Sequence, residues 1–183
     1  MPEQPDPLIT RLLMHAEEAR VGDDRVIVLI DGRSGSGKTT LGRRLAAAWP
    51  AHLGPVRLVH LDDVYPGWHG LETASRVVAA TILRGERPGW RRWDWALDRP
   101  GEWATLDPSV SVIVEGAGSL TRASSALATT RVWLDLDDDE RRRRALGRDG
   151  AAYEPWWDVW AAQEERHLDR ESPRSLADVV AEA

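Results

Sequence analysis

The chain has 183 residues, 42% of them hydrophobic and 30% charged, a balance that builds an α/β-sized core and excludes both a disordered polyampholyte and a membrane-embedded protein. A formal net charge of -6 disfavours any activity resting on broad, sequence-independent attraction to nucleic acid. Cysteine is absent, which removes disulfides, thiolate metal centres and cysteine nucleophiles.

In chain order, the acidic, Pro-rich start around Met1–Pro7 carries no basic segment followed by an apolar core. No later run approaches the roughly 18 apolar residues of a membrane span, so a cytoplasmic protein with no membrane partner is expected. Leu8, Ile9, Leu12, Leu13 and Ala16 recur at helical spacing behind Pro7, predicting an amphipathic helix over 8–20. Val26–Ile30 is a continuous apolar run of the kind buried on both faces of a parallel sheet. A glycine-rich turn, a helix over 39–49 closed by Pro50, and a strand over 56–61 complete a βαβ unit. Residues 71–84 read as a helix stopped at Gly85, and 88–103 as loop or short hairpin without clear periodicity. Strands are expected at 110–114 and 131–136, helices at 138–148 and 155–170 around a break at Asp149-Gly150, and a short last strand at 176–180. The whole, residues 1–183, reads as a single α/β domain with a parallel sheet of about five strands flanked by helices.

Gly32-Arg33-Ser34-Gly35-Ser36-Gly37-Lys38-Thr39 satisfies G-x-x-x-x-G-K-[ST] in full, between a predicted strand and a predicted helix. Glycines let the loop curl so that successive N–H groups point inward, and the helix N-terminus adds partial positive charge. Gly32, Ser34, Gly35, Ser36, Gly37, Lys38, Thr39 and Thr40 are therefore the candidate nucleotide-binding residues, with Lys38 reaching the β- and γ-phosphates and Thr39 offering a hydroxyl to Mg²⁺. Lys38 is the only lysine among 24 basic residues, and a general bias toward arginine would not choose that slot. Phosphoryl transfer also needs carboxylates at the carboxyl ends of neighbouring strands, where Asp62, Asp63 and Glu115 fall.

The segments GRSGSGKT over 32–39, Leu61-Asp62-Asp63-Val64-Tyr65, Trp93-Asp94-Trp95 and Val114-Glu115-Gly116 occur in the order and rough spacing of the uridine kinase and phosphoribulokinase-like group of P-loop kinases, which the sequence resembles over about 26–150. The resemblance implies a kinase using ATP and Mg²⁺, with Asp62 as catalytic base and metal partner and Glu115 as a metal-side carboxylate. It implies Tyr65, Trp93 and Asp94 as acceptor-site residues. Asp62 is preferred to Asp63 because adjacent strand side chains point to opposite sides, so one of them faces the P-loop. Where the uridine kinase pattern has a pyrimidine-contacting His after the aromatic-Asp-aromatic segment, this chain has Asp98 and Arg99, which puts uridine and cytidine in question as acceptors.

Asp137 to Glu140 followed by Arg141 to Arg144 offers four acid-to-Arg pairs at i,i+4, the pattern of a solvated helix face. Arg141, Arg144 and Arg148 also share one helical face, suited to neutralising a phosphate chain during transfer, and the resemblance implies an α/β P-loop NTPase fold in which that helix belongs to a small Arg-rich lid at about 137–154. Trp156 and Trp160 share a face with Gln163 and His167 and are expected to pack on the sheet, and none of the five histidines shows metal-ligand spacing. The expectation is transfer of the ATP γ-phosphate to a hydroxyl of a small metabolite, nucleoside-like in preference, with no nucleic-acid partner. A nucleoside monophosphate kinase using Arg91, Arg92 or Arg99, and an ATP-dependent switch or assembly module, are the alternatives.

Overall fold

The computed structural model describes residues 6–84 and 86–182, so the N-terminal reading over 1–5 and the helix stop at Gly85 lie outside the described residues. Helix α1 (Pro7–Ala19) starts on Asp6, whose carboxyl accepts the Leu8 N–H at 2.9 Å. Strand β1 (Ile27–Gly32) is buried along its whole length and feeds helix α2 (Lys38–Ala47), then strand β2 (Val56–His60). Helix α3 (Leu71–Val77) continues as a π-turn over Val78–Ile82. Strands β3 (Gly89–Asp94) and β4 (Arg99–Thr105) form an antiparallel hairpin, so the stretch without periodicity is ordered. Its register shifts between Arg91 and Trp93, which breaks the two-residue alternation that marks a strand in sequence. Strand β5 (Ser111–Glu115), the short helix α4 (Arg122–Ser125) and strand β6 (Thr130–Asp135) follow. The chain closes with helix α5 (Asp138–Asp149), helix α6 (Trp157–Glu171), the single turn α7 (Pro173–Leu176) and strand β7 (Val179–Glu182).

The main sheet runs β2-β5-β1-β6-β7 with every pairing parallel, the expected strand count and direction. Alternation along β1 splits the core: Ile27 and Leu29 join the cluster beneath α3 and α6, while Val28 and Ile30 join that beneath α1 and α2. This order decides where the chemistry lands. The P-loop leaves the central strand, β2 and β5 deliver their carboxyl ends on one side of it, and β6 delivers α5 on the other. Among the described residues no helix is long and apolar enough to cross a membrane.

Candidate active site

A cleft of about 770 Å³ opens at the carboxyl ends of the sheet, bringing together the P-loop, both carboxylate-bearing strand ends, α5 and a group of aromatic side chains. Gly37 adopts a left-handed φ of 89° and starts α2 without a side-chain cap, so the helix N-terminus keeps its donors for a ligand. Lys38 is buried, its Nζ donating to the Arg33 carbonyl at 2.9 Å within its own loop. Gly35, Gly37, Lys38, Thr39 and Thr40 line the cleft beside Ser34, whereas Gly32 and the buried Ser36 do not.

Thr39 and Glu115 meet directly, the Thr39 hydroxyl donating to Glu115 Oε1 at 3.0 Å. His60 is the register partner of Glu115 across β2 and β5, and its Nδ1 lies 2.5 Å from the same oxygen. That hydrogen bond raises the His60 pKa against the opposing effect of burial, with the charge of Glu115 adding to it. Nothing in the local sequence marks His60, because its place opposite a strand-end glutamate follows from the strand order. A hydroxyl and a buried carboxyl at this spacing, with Asp62 lining the same cleft, are an oxygen set of the kind Mg²⁺ uses alongside substrate phosphates.

Asp62 and Asp63 sit in a 3-10 turn over Leu61–Asp63 rather than at the end of β2, so helical stagger, not strand alternation, separates their side chains. Asp62 lines the cleft, while Asp63 faces Arg92 of the hairpin at 3.9 Å. Tyr65 also lines the cleft, though its side chain is buried, and it donates to the Ala117 carbonyl at 2.9 Å. Burial, and then the negative charges of Asp62 and Glu115, push its phenol well above the ordinary value.

The arginines of α5 divide. Arg144 and Arg148 line the cleft, with Arg144 and Arg143 both held by Glu140, whose carboxyl is lowered to about 2 by their hydrogen bonds. Arg141 does not line it: the side chain is 3% exposed, pairs with Asp138, and donates to the Ser34 carbonyl at 2.9 Å. Of the four expected i,i+4 pairs, 140/144 forms; Asp137 instead caps the helix, accepting from the Asp139 and Glu140 N–H groups.

Trp93 and Asp94 also fall outside the lining. Asp94 accepts the Ala96 and Leu97 N–H groups at 3.1 and 3.0 Å and so builds the hairpin turn. Trp95, the third residue of that segment, reaches the cleft instead, donating from Nε1 to the Asp62 carbonyl at 2.7 Å. Trp68 packs edge-on to Trp95 at 5.0 Å and stacks with Tyr153 at 5.4 Å, so three aromatic residues form a continuous wall beside Asp62. Trp68, Tyr153, Trp160 and Arg43 were not read from the sequence as site residues, and they come from four separate elements or loops.

No family model matches the sequence. It is 28% identical to a uridine kinase of Latilactobacillus sakei over 142 residues, covering 68% of this chain and 66% of that protein, so the matched region is just under two thirds of the relative. Two solved structures share the fold across 94% of this chain at 21% identity. One is a possible uridine kinase from Bacillus stearothermophilus, matched over 96% of its length with a TM-score of 0.65. The other is a provisionally assigned fructose transport system kinase from a Silicibacter species, matched over 98% of its length with a TM-score of 0.63. The five-stranded parallel sheet and its P-loop thus form an α/β P-loop NTPase fold, and the chain resembles the uridine kinase and phosphoribulokinase-like group of P-loop kinases.

Proposed function

We propose that the protein is a Mg²⁺- and ATP-dependent kinase that transfers the γ-phosphate to a hydroxyl of a small, nucleoside-like metabolite. The observation that carries this reading is the meeting, in one cleft, of the P-loop with Lys38 and Thr39, of Glu115 and Asp62, and of the aromatic wall Trp68–Trp95–Tyr153. The N–H groups from Gly35 to Thr40 and the Lys38 ammonium would hold the phosphates, and Thr39 and Glu115, assisted by Asp62, would hold Mg²⁺. When bound, Mg²⁺ neutralises charge on the phosphates and orients them. Asp62 accepts the acceptor's hydroxyl proton as the new O–P bond forms; the bond between the γ-phosphorus and the bridging oxygen breaks, and ADP leaves. Arg144 and Arg148 meet the charge spread over the transferring group.

The aromatic wall gives a ring-bearing acceptor a flat face while the single carboxyl of Asp62 meets its hydroxyl. An acceptor that already carries a phosphate finds less support. Arg91 is turned to the Gly101 carbonyl and Arg92 to Asp63, and neither they nor Arg99 line the cleft.

The test is ADP formation from MgATP across nucleosides, their monophosphates, sugars and vitamin alcohols, with Lys38→Ala as the blank. The expected result is turnover of about 1–100 s⁻¹ on a ring-bearing alcohol. MgATP binding with no acceptor raising ADP release above the blank would overturn the kinase reading in favour of an ATP-dependent switch.

A further inference from the structure

Trp160, Gln163, Glu164 and His167 recur at i, i+3, i+4 and i+7 on α6, and all four are buried. Three are polar, and a polar stripe turned into a core is tolerated only with partners. Those partners lie on the loops that build the cleft and at Asp31 near the end of β1. Trp160 meets the Tyr65 ring edge-on at 4.7 Å, and Gln163 Nε2 donates to the Trp68 carbonyl at 2.7 Å. His167 Nε2 lies 3.1 Å from Asp31, whose carboxyl accepts the N–H groups of Gly32, Gly118 and Leu120 at 2.7, 3.0 and 2.8 Å.

Glu164 goes further, because it grips the P-loop itself. Its Oε1 accepts the Ser34 N–H at 2.6 Å and its Oε2 accepts from Arg33 Nε at 3.2 Å, with the Arg141 guanidinium 4.0 Å away. Both Glu164 and Arg141 are 3% exposed. Arg141 donates to the Ser34 carbonyl, and Tyr153 donates its hydroxyl proton to Ser34 Oγ at 2.9 Å. Every polar group of Ser34 is therefore held from outside the loop, by α5, by α6 and by the segment between them. Gly35 has a φ of 82°, and a Cβ there would lie 2.2 Å from the Arg141 carbonyl oxygen, so the lid helix rests directly on the P-loop backbone.

We propose that Glu164 is a positioning residue: with Arg141 it forms a latch on Ser34 that fixes the P-loop in its phosphate-ready curl only while α5 and α6 are docked. The consequence for binding rests on the reading of the cleft as a nucleotide site. A loop shaped beforehand leaves the ligand no ordering cost, so the latch acts on nucleotide affinity rather than on the chemical step. The Glu164 carboxylate also faces the guanidinium groups of Arg33 and Arg141, while Arg141 keeps Asp138 and the Ser34 carbonyl as its nearer partners.

The experiment compares wild type, Glu164→Ala and Glu164→Gln by amide hydrogen exchange at Ser34, MgATP affinity and acceptor kinetics, with melting temperature as the measure of fold. In Glu164→Ala, Ser34 exchange is expected to accelerate and the MgATP Kd and KM to rise about tenfold or more, with kcat at saturation within about threefold. Glu164→Gln, which keeps an acceptor for the Ser34 N–H, should recover most of that loss. Unchanged Ser34 exchange, or unchanged affinity in a Glu164→Ala protein whose wild type binds MgATP, overturns the latch. Should wild type bind no MgATP, the nucleotide reading fails while Ser34 exchange alone decides the latch. If Glu164→Ala does not fold, Arg141→Lys, which keeps the charge and shortens the reach to the Ser34 carbonyl, carries the same two readouts.

Discussion

At the P-loop end of the cleft, Lys38, Glu115, Glu164 and Arg141 are all buried, and each backbone group of Ser34 has a fixed partner. At the aromatic end, Trp95 is 39% exposed on a hairpin whose outward residues are largely solvated, and it is tied to the site by a hydrogen bond to the Asp62 carbonyl and an edge-on contact with Trp68. The first end is specified by backbone conformation and buried polar pairs, which tolerate little change. The second is assembled from side chains on a loop and a hairpin, where aromatic residues can be exchanged without disturbing the sheet. On the proposed reading, phosphate chemistry and acceptor choice are held by largely different parts of the molecule that meet at Tyr153, which stacks on Trp68 and donates to Ser34 Oγ.

The most damaging change is expected at Gly35. Gly35→Ala combines a positive φ with a 2.2 Å approach to the Arg141 carbonyl, so MgATP binding should be lost in titration calorimetry together with any acceptor-stimulated turnover. Asp62→Asn should keep MgATP affinity and lose about 10²–10⁴ in kcat. If the two variants lost binding and turnover alike, the two-part division would collapse.

A smaller effect is expected at the aromatic wall. Trp68→Ala removes the ring that links Trp95 to Tyr153, and acceptor KM should rise about tenfold with MgATP affinity little changed. The smallest lies away from both ends, at the sheet edge, where Arg131 donates from backbone and side chain to Asp178 and ties β7 to β6. Burial alone would raise the Asp178 carboxyl, but the hydrogen bonds from Arg131 outweigh it and hold the pKa below the usual range. A carboxyl lowered on folding contributes stability that is complete above the unfolded carboxylate range and is lost as pH falls through the folded value. Asp178→Asn should therefore lower Tm by about 2–4 °C at neutral pH, and by less in acid, with kinetics unchanged.

The same division explains what could be read from the sequence. The P-loop was legible because its glycines, Lys38 and Thr39 stand at fixed local spacing, and β1 and β5 because buried parallel strands are continuous apolar runs. Glu115 and Asp62 followed from their places at strand ends, although the turn that carries Asp62 is 3-10 and not strand. Trp93 and Asp94 come from the resemblance alone, and the register shift of the hairpin leaves no local alternation to show that Trp95 makes the contact. Glu164 escaped notice because a carboxylate on a helix is ordinarily solvated, and only the docking of α6 on the P-loop turns it inward. His60 and Trp68 depend on strand order and on a loop path, neither of which local periodicity encodes.

The most direct test of the central claim follows the γ-phosphate itself by ³¹P NMR in a reaction of MgATP with the acceptor found in the panel. The account predicts a new phosphomonoester resonance growing in step with ADP in wild type, and none in Asp62→Asn over the same interval. Release of inorganic phosphate without a phosphorylated acceptor, or an Asp62→Asn protein forming the ester at the wild-type rate, would contradict it.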